Sequence, residues 1–255
     1  MNDLEEYFYQ NKGRLISKWD HYFEVYDKHF QQYRNKEVTI LEIGVFHGGS
    51  LQMWKSYFGD KAKIYGIDIN PKCKDLEEDN IKIFIGSQSD KAFLRNVKAQ
   101  IPKVDILIDD GGHTMKQQIV SFKELFDHIK EDGIYLCEDI HTSYWLRFGG
   151  GYRRRGTFIE FSKRFVDYLN AYHSNQRSLK VNEFTKSVNS LHFYDSMLVI
   201  EKKKREKSPV QLSSGNLSYE STSTKKNLAN FLYTSSKKYI NIILRFFRLK
   251  GCSWN

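Results

Sequence analysis

Two pairs of acidic residues end two short apolar runs of this 255-residue chain. Asp109 and Asp110 close the run VDILIDD, and Glu138 and Asp139 close the run GIYLCED. If these runs are neighbouring strands, four carboxylates lie close together, and like charges raise one another's pKa values unless a cation neutralises them. Oxygen ligands of this kind suit Mg²⁺ or Ca²⁺. The spacing therefore predicts a divalent-metal site, with salt bridges to nearby lysines or helix caps as the alternative.

His113 is the nearest candidate for acid–base chemistry. It stands three residues after Asp110, behind two glycines. Because imidazole titrates near neutral pH, a histidine beside a hydroxyl that a metal holds is suited to act as a general base. We interpret His113 as that base, with a purely structural histidine as the alternative.

A glycine-containing turn after the first apolar run predicts a cofactor site. The run ends LEIGVFHGGS, and a helix is expected to begin there, which is where doubly wound proteins bind nucleotide-like cofactors. A dinucleotide is disfavoured because Phe46 stands where the dinucleotide fingerprint requires a glycine close to the pyrophosphate. S-adenosylmethionine has no pyrophosphate, so the turn favours this cofactor.

The next two apolar runs end in polar residues that suit the same cofactor. Asp68 lies 24 residues after Gly44, where an acid accepts hydrogen bonds from ribose hydroxyls, and a loop cap is the alternative. The third run ends in GSQSD, which is polar and short enough for the adenine edge. The glycine-containing turn and Asp68 therefore both favour S-adenosylmethionine.

The elements that must position these residues follow from an alternation of patterns. From Val38 to Ile140, short apolar runs alternate with longer amphipathic stretches, which is typical of βαβ units around a parallel sheet. A helix is expected near Thr157 to His173. The later runs VNSLHFYD and SMLVIEKKK are too close together for a helical crossover and predict an antiparallel hairpin at one sheet edge. The fold class is thus α/β and doubly wound.

Composition divides the chain into four parts. Residues 1–36 form a helical lead-in with aromatic residues at helical spacing, and residues 37–203 form the main domain. Residues 204–226 have the Lys- and Ser-rich composition of a flexible linker. Residues 227–255 predict a basic amphipathic helix, which can lie on an anionic membrane or pack on its own domain or a second subunit.

Overall composition limits the classes of function. Hydrophobic residues make up 40% of the chain, so a disordered protein is excluded. The net charge of +9 favours an anionic partner, whether nucleic acid, a phosphorylated substrate or a lipid surface. Three scattered cysteines predict a reducing compartment, and the acidic N-terminus does not resemble a secretory signal. We expect a cytoplasmic protein.

Several of these runs resemble one family. The sequence resembles the class I S-adenosylmethionine-dependent sugar O-methyltransferases, most closely the metal-dependent mycinamicin and macrocin types, over roughly residues 14–203. The similar runs are KWDHYFEVYDKHF, LEIGVFHGGSLQMWKSYF, YGIDI, GSQSD, VDILIDDGGHTMKQQIVSFKELF, GIYLCEDIHTSYW and SLHFYDSMLVIEK. The resemblance implies a Rossmann-like, seven-stranded sheet, mostly parallel with an antiparallel edge hairpin. It also implies a divalent ion bound by acids at two strand ends together with two sugar hydroxyls.

The resemblance further implies roles for individual residues. The metal ligands would be Asp110, Glu138 and Asp139, and the base would be His113. The cofactor contacts would be Glu42, Gly44, Ser50, Asp68, Gln88 and Asp109. The sequence departs from the family in having Ser87 where relatives often have Asp, and we do not expect the larger auxiliary domain of some members.

A Gly- and Arg-rich loop from His141 to Gly156 is the candidate acceptor site. Tyr144 and Trp145 offer flat faces for a sugar ring, and Arg153, Arg154 and Arg155 could pair with a diphosphate. A solvated basic loop is the alternative for the arginines.

The functional hypothesis is O-methylation of a sugar hydroxyl that depends on S-adenosylmethionine and on Mg²⁺ or Mn²⁺. The acceptor is expected to be a nucleotide-linked sugar or a precursor of a surface polysaccharide. Methylation of a catechol-like small molecule and a basic nucleic-acid-binding module are the alternatives. We expect a homo-oligomer with no nucleic-acid partner, and for the C-terminal helix peripheral contact with the inner membrane face is one alternative beside packing on its own domain or a second subunit.

Overall fold

The computed structural model describes residues 1–216, 218 and 228–247. Within these ranges, seven strands form one sheet in the order β3-β2-β1-β4-β5-β7-β6. Strands β1 to β5 are parallel, and β7 runs antiparallel to both β5 and β6. This confirms the mostly parallel sheet with an antiparallel edge hairpin. The strands are β1 (Thr39–Ile43), β2 (Lys63–Asp68), β3 (Ile81–Ile85), β4 (Val104–Asp109), β5 (Ile129–Cys137), β6 (Val188–Tyr194) and β7 (Met197–Lys202).

Strands β1 and β4 lie at the centre of the sheet and position the site. Every residue of both strands is buried, as expected for aliphatic strands covered on both faces. Strands β2 and β3 extend the sheet on one side of β1, and β5 extends it on the far side of β4. The loops after β1 and β4 therefore diverge, and a crevice opens at their carboxyl ends.

Helices cover both faces of the sheet. One core lies under α1 to α3 and the other under α4 to α8. The helix expected near residues 157–173 is instead two short helices and a 3₁₀ turn, because the hydrogen bonding tightens where the Val166 amide donates to the Lys163 carbonyl. The helices are α1 (Asp3–Gln10), α2 (Tyr22–Phe30), α3 (Gly49–Phe58), α4 (Lys91–Gln100), α5 (Met115–Leu125), α6 (Phe158–Ser162), α7 (Arg164–Leu169), α8 (Glu183–Ser187) and α9 (Leu228–Phe246).

The lead-in is part of the main domain. Leu4 of α1 and the aromatic residues of α2 are buried in the same core as the sheet residues. The first compact unit is Met1–Pro209, so it extends past Lys203, where we expected the domain to end. The extension has a physical cause, because the Arg205 amide donates to the Lys186 carbonyl.

The second compact unit is Val210–Asn255, of which α9 is the described element of regular structure. Parts of the expected linker and both ends of the expected C-terminal helix lie outside the described residues. Among the helices that the structure describes, none combines the length and apolar character needed to cross a membrane. Cys73 and Cys137 are buried and free.

Candidate active site

A cavity of about 680 Å³ opens at the carboxyl ends of the central strands. The loops after β1, β2, β3 and β4 form its walls, and residues 15–18, from the segment between α1 and α2, complete it. A cavity of this size accommodates a cofactor-sized molecule. Of the expected cofactor contacts, four line it: Gly44, Ser50, Asp68 and Gln88.

Gly44 lets two loops of the cavity touch. Its φ is +98°, a left-handed conformation that favours glycine, and a Cβ here would overlap the carbonyl of Asp110. The turn after β1 therefore packs directly on the loop that carries the acidic pair. Phe46, which argued against a dinucleotide, also has a positive φ, and its side chain is exposed at the cavity.

Asp68 clamps the turn after β1. Its Oδ2 accepts hydrogen bonds from the amides of Val45 and Phe46 at 2.9 and 3.0 Å, and its Oδ1 accepts one from Asn70 at 2.8 Å. The side chain thus acts as a loop cap, the alternative considered from the sequence. It is also half-exposed on the cavity wall, where it can contact a ligand.

Glu42 and Asp109, which were also expected to contact the cofactor, lie behind the cavity and do not line it. Glu42 is fully buried and accepts a hydrogen bond from Ser50 Oγ at 2.9 Å. Burial raises the pKa of Glu42 to about 7, against the opposing attraction of Lys18. Asp109 is fully buried and is bound by Gln88 Nε2 at 2.9 Å and by the Ser121 hydroxyl, and burial raises its pKa. Both carboxylates position the residues that do face the cavity.

Three side chains of the cavity lining converge. His113 Nε2 lies 3.8 Å from Asp110 Oδ1 and 3.5 Å from Asp139 Oδ2. One candidate ligand atom from each residue lies within 4.8 Å of the others. His113 and Asp139 also have positive φ values of 56° and 52°, a conformation that is uncommon outside glycine and frequent at functional sites. We refer to these three residues as the Asp110–His113–Asp139 cluster.

Lys18 was missed by the sequence reasoning and is central to the site. Its side chain is 2% exposed, and Nζ donates to Asp110 Oδ2 at 2.5 Å and to both carboxylate oxygens of Glu138 at 2.9 and 3.0 Å. Glu42 Oε1 lies 3.8 Å from the same nitrogen. Burial opposes the charged form, but attraction to the three acids outweighs it and raises the Lys18 pKa.

Aromatic residues close to Lys18 hold the other acids. Trp19 Nε1 and Tyr22 Oη donate to Asp139 Oδ1 at 3.1 and 2.7 Å, and Tyr26 Oη donates to Glu138 Oε1 at 2.6 Å. The signal for these contacts was the run KWDHYFEVYD, in which a lysine and aromatic residues are grouped. The helical spacing of these aromatic residues predicts amphipathic helices and does not indicate the contacts with the acids.

The donor set fits a divalent cation in part. Asp110 Oδ1 and Asp139 Oδ2 are carboxylate oxygens of the kind that Mg²⁺ and Mn²⁺ prefer, and they accept no hydrogen bond from any residue that the structure describes. His113 Nδ1 is buried and has no partner among those residues. Glu138 differs, because its two oxygens are directed to Lys18 and Tyr26. The structure therefore groups two of the three expected metal ligands with the expected base.

The residues of the candidate acceptor loop lie in different surroundings in the structure. Tyr144 lines a second cavity of about 410 Å³, and His141 of the same wall has its Nδ1 3.9 Å from Asp139 Oδ1. Trp145 does not line this cavity; it packs against His141 and under the Arg147 guanidinium. The three arginines are exposed and line neither cavity: Arg153, Arg154 and Arg155. The arginines expected to contact a diphosphate therefore lie outside these two cavities.

Comparison with known proteins gives related methyltransferases. A family model described as a methyltransferase domain matches residues 41–140. The chain is 36% identical over 191 residues, 71% of its length, to the 8-demethyl-8-alpha-L-rhamnosyl tetracenomycin-C 2'-O-methyltransferase of Streptomyces olivaceus. It is 37% identical over 202 residues, 74% of its length, to the demethylmacrocin O-methyltransferase of Streptomyces fradiae. The matches cover 50% and 51% of these proteins, so the chain spans about half the length of the curated relatives it matches.

A solved structure agrees with this relationship. The MycE methyltransferase of the mycinamycin biosynthetic pathway, in complex with Mg, SAH and mycinamycin VI, superposes with a TM-score of 0.72 at 29% identity. The superposition covers 91% of this chain and 58% of that one. The fold, the matched domain and the relatives agree with the resemblance read from the motifs. The chain therefore contains a methyltransferase domain of the macrocin and mycinamicin sugar O-methyltransferase family.

Proposed function

We propose that this chain transfers a methyl group from S-adenosylmethionine to a sugar hydroxyl, with Mg²⁺ or Mn²⁺ bound. The observation that carries the proposal is the convergence of Asp110 Oδ1, His113 Nε2 and Asp139 Oδ2 beside the cavity formed by the Gly44 turn and Asp68. The names of the relatives, and the Mg and SAH in the MycE complex, support it. The free, buried Cys73 and Cys137 support a reducing, cytoplasmic location.

The cavity residues would bind and orient the reactants. When bound, S-adenosylmethionine would supply the methyl group, and the metal would favour loss of the proton of the acceptor hydroxyl. Asp110 and Asp139 would hold the metal, and His113 Nε2 would accept that proton. Methyl transfer needs the oxygen and the methyl group in line at near-attack distance, so positioning is the main task of the protein. Trp19 and Tyr22 serve this task by fixing Asp139.

The second cavity supports a particular class of acceptor. Ile140, Tyr144, Ile159 and Phe193 give it a largely apolar and aromatic wall. His141 of its wall lies close to the cluster, with Nδ1 3.9 Å from Asp139 Oδ1, so an acceptor whose sugar lies at the Asp110–His113–Asp139 cluster can extend toward it. We infer that the group attached to the sugar is apolar, in preference to a nucleotide diphosphate, and the rhamnosyl and olivosyl compounds named for two relatives are glycosides.

The aromatic wall also favours the second candidate, a catechol-like acceptor. A planar diol would present two neighbouring oxygens and stack on Tyr144. A panel of polyketide glycosides, nucleotide sugars, polysaccharide precursors and catechols, incubated with labelled cofactor and Mg²⁺, separates the classes by product mass. We expect methylated glycosides. Labelling of catechols alone would reject the sugar assignment.

Metal dependence is tested with the same assay. Excess chelator should abolish turnover, and added Mg²⁺ or Mn²⁺ should restore it. Asp110→Asn should lose at least 100-fold in turnover while cofactor affinity changes little, because the cofactor would be bound mainly by other loops. Asp75→Asn, which changes an exposed carboxylate outside the cluster, is the matched control. Full activity in excess chelator would reject the metal.

A further inference from the structure

We propose that His29, His192 and Glu201 form a second metal site, which is selective for Zn²⁺ over Mg²⁺ and joins α2 to the hairpin of β6 and β7. We refer to these residues as the His29–His192–Glu201 cluster. The structure brings one candidate ligand atom from each of them within 4.8 Å of the others. The cluster shares no residue with the one beside the cofactor cavity, so the inference goes beyond the proposed function and does not depend on it.

The fold brings these side chains together from two separate parts of the chain. His29 lies near the end of α2 and is buried. In the antiparallel hairpin, Ser190 pairs with Glu201 and His192 pairs with Val199. Because alternate residues of a strand share a face, His192 and Glu201 lie on the same face of the hairpin, and Val199 of that face is in one core with α2. The rings of His29 and His192 are accordingly 4.8 Å apart, measured between their centroids.

The distances between the ligand atoms are close to those that a zinc ion imposes. His29 Nδ1 lies 2.8 Å from Glu201 Oε1, and His192 Nε2 lies 3.7 Å from Glu201 Oε2. Two zinc–ligand bonds of about 2.0 to 2.1 Å at a tetrahedral angle hold their ligand atoms about 3.3 Å apart. The two distances lie on either side of that value, so side-chain shifts of about half an ångström would admit the ion.

Two hydroxyl groups orient the ligands from behind. Ser190 Oγ donates to Glu201 Oε2 at 2.7 Å, and Oε1 of the same carboxylate faces His29. The Tyr194 hydroxyl lies 2.9 Å from His29 Nε2. A hydroxyl can accept as well as donate, so it can hold the tautomer that is protonated at Nε2, which leaves the Nδ1 lone pair for the ion. Metal-binding histidines and carboxylates typically have such partners.

The protonation states of two ligands suit metal binding. Burial lowers the pKa of His29, against the opposing hydrogen bond with Glu201, which favours the neutral imidazole. Burial opposes the charged form of Glu201, but hydrogen bonds from Ser190 and His29 outweigh it and lower the pKa of this carboxyl. A neutral imidazole and an ionised carboxylate are the forms in which these groups bind metals.

The two imidazoles determine which ion the cluster prefers. Two histidines and one carboxylate suit Zn²⁺, whereas Mg²⁺ prefers oxygen ligands in octahedral geometry. The side chains of His192 and Glu201 are 31% and 32% exposed, so an ion can enter from solvent, and that of His29 is 2% exposed. An ion bound here therefore ties a buried residue of α2 to the edge hairpin.

Zinc affinity in excess Mg²⁺ gives the first test. Zn²⁺ is titrated calorimetrically into the full chain and into His192→Phe, which removes both nitrogens but keeps an aromatic ring to stack on Tyr194. We expect His192→Phe to weaken zinc binding at least tenfold. His113→Ala, in the other cluster, and His173→Phe, an exposed histidine, should leave the affinity of this site unchanged. Wild-type affinity in His192→Phe, or loss of zinc binding in His113→Ala, would overturn the proposal.

Melting temperatures give the second test. A ligand that binds the folded state stabilises it, so Zn²⁺ at about 100 times its dissociation constant should raise the melting temperature of wild type by about 5 °C in excess Mg²⁺. The same Zn²⁺ concentration should raise that of His192→Phe by less than half as much. An equal rise in the two proteins, or none in wild type, would mean that the cluster is a hydrogen-bond network without a metal.

A second variant keeps the test decisive if His192→Phe does not fold. Glu201→Gln preserves the shape of the side chain and removes its charge, and it should also weaken zinc binding at least tenfold. Wild-type zinc affinity in Glu201→Gln would contradict the ligand role of this carboxylate and overturn the proposal. Both readouts are independent of methyl transfer, so they decide on this site even if the proposed function is wrong.

Discussion

Glu42 lies behind the cavity wall and holds Ser50, which lines the cavity. Ionisation of Glu42 should make the free energy of unfolding depend on pH. Its pKa is raised to about 7 by burial, so the folded state favours the neutral acid. Its contribution to the free energy of unfolding is therefore fully present below the ordinary glutamate pKa of about 4.5, and this contribution is lost as the pH rises through 7. Asp109 and Glu138, whose pKa values burial also raises, act in the same direction.

Glu42→Gln isolates that contribution. The amide cannot ionise, so the melting temperature of the variant should fall less than that of wild type between pH 5 and pH 8. Between pH 5 and pH 8, the free energy of unfolding of wild type should fall by about 1 to 3 kcal/mol more than that of the variant. Thermal melts in a series of buffers measure it, and parallel curves for the two proteins would show that Glu42 does not titrate there.

His113→Ala tests the base. We expect turnover to fall by about 10² to 10⁴-fold, the usual range for loss of a general base, with cofactor affinity nearly unchanged. His173→Ala, a histidine of the 3₁₀ turn Ala171–His173, serves as control. Single-turnover assays separate chemistry from binding. Wild-type turnover in the variant would mean that metal activation suffices without His113.

Among the elements, the turn after β1 depends on close packing against the loop after β4. Gly44→Ala places a methyl group on the Asp110 carbonyl and keeps a residue with a Cβ at positive φ. We expect cofactor affinity, measured by calorimetry, to fall at least tenfold. Gly156→Ala is a matched control, because its φ of +90° is similar but nothing lies within 4 Å of its Cβ position. An equal loss of cofactor affinity in the two variants would mean that backbone strain alone, without the contact with Asp110, causes the loss.

The segment between α1 and α2 is the second element on which the site depends. It contributes Lys18 and Trp19 to the acids and part of the cavity wall. The helices on either side anchor it, since both are buried in the core. His29 near the end of α2 adds to this anchoring through Glu201 at 2.8 Å and the Tyr194 hydroxyl at 2.9 Å.

At the scale of the whole molecule, α9 presents an apolar stripe. Tyr239, Ile242, Ile243 and Phe246 recur at helical spacing and are exposed. The helix sequence has basic residues and no acidic ones, which suits an anionic lipid surface, and its apolar stripe equally suits packing on a second subunit. If the lipid surface is the partner, the full chain floats with anionic liposomes.

A double variant of the full chain, with Ile242→Glu and Phe246→Glu, should float several-fold less with anionic liposomes, while its methyltransferase activity stays unchanged. Neutral liposomes provide the control for the charge. Light scattering on the same samples tests the expected homo-oligomer. Equal flotation of the two proteins would contradict the membrane role, and a smaller particle in the variant would assign the stripe to subunit contact.

The sequence by itself determined the order of elements, the type of sheet and the class of residue at each strand end. These features depend on local patterns, because apolar runs and turns report on neighbouring residues, and parallel strands bring their carboxyl ends to one edge. The tertiary structure decided which oxygens face the cavity. Lys18 meets Asp110 across 92 residues and Glu138 across 120 residues, and no local pattern encodes such a contact. For the same reason Glu42 and Asp109, which look equivalent to Asp68 in sequence, lie behind the cavity wall: helix packing and burial, and not residue type, set their distance from it.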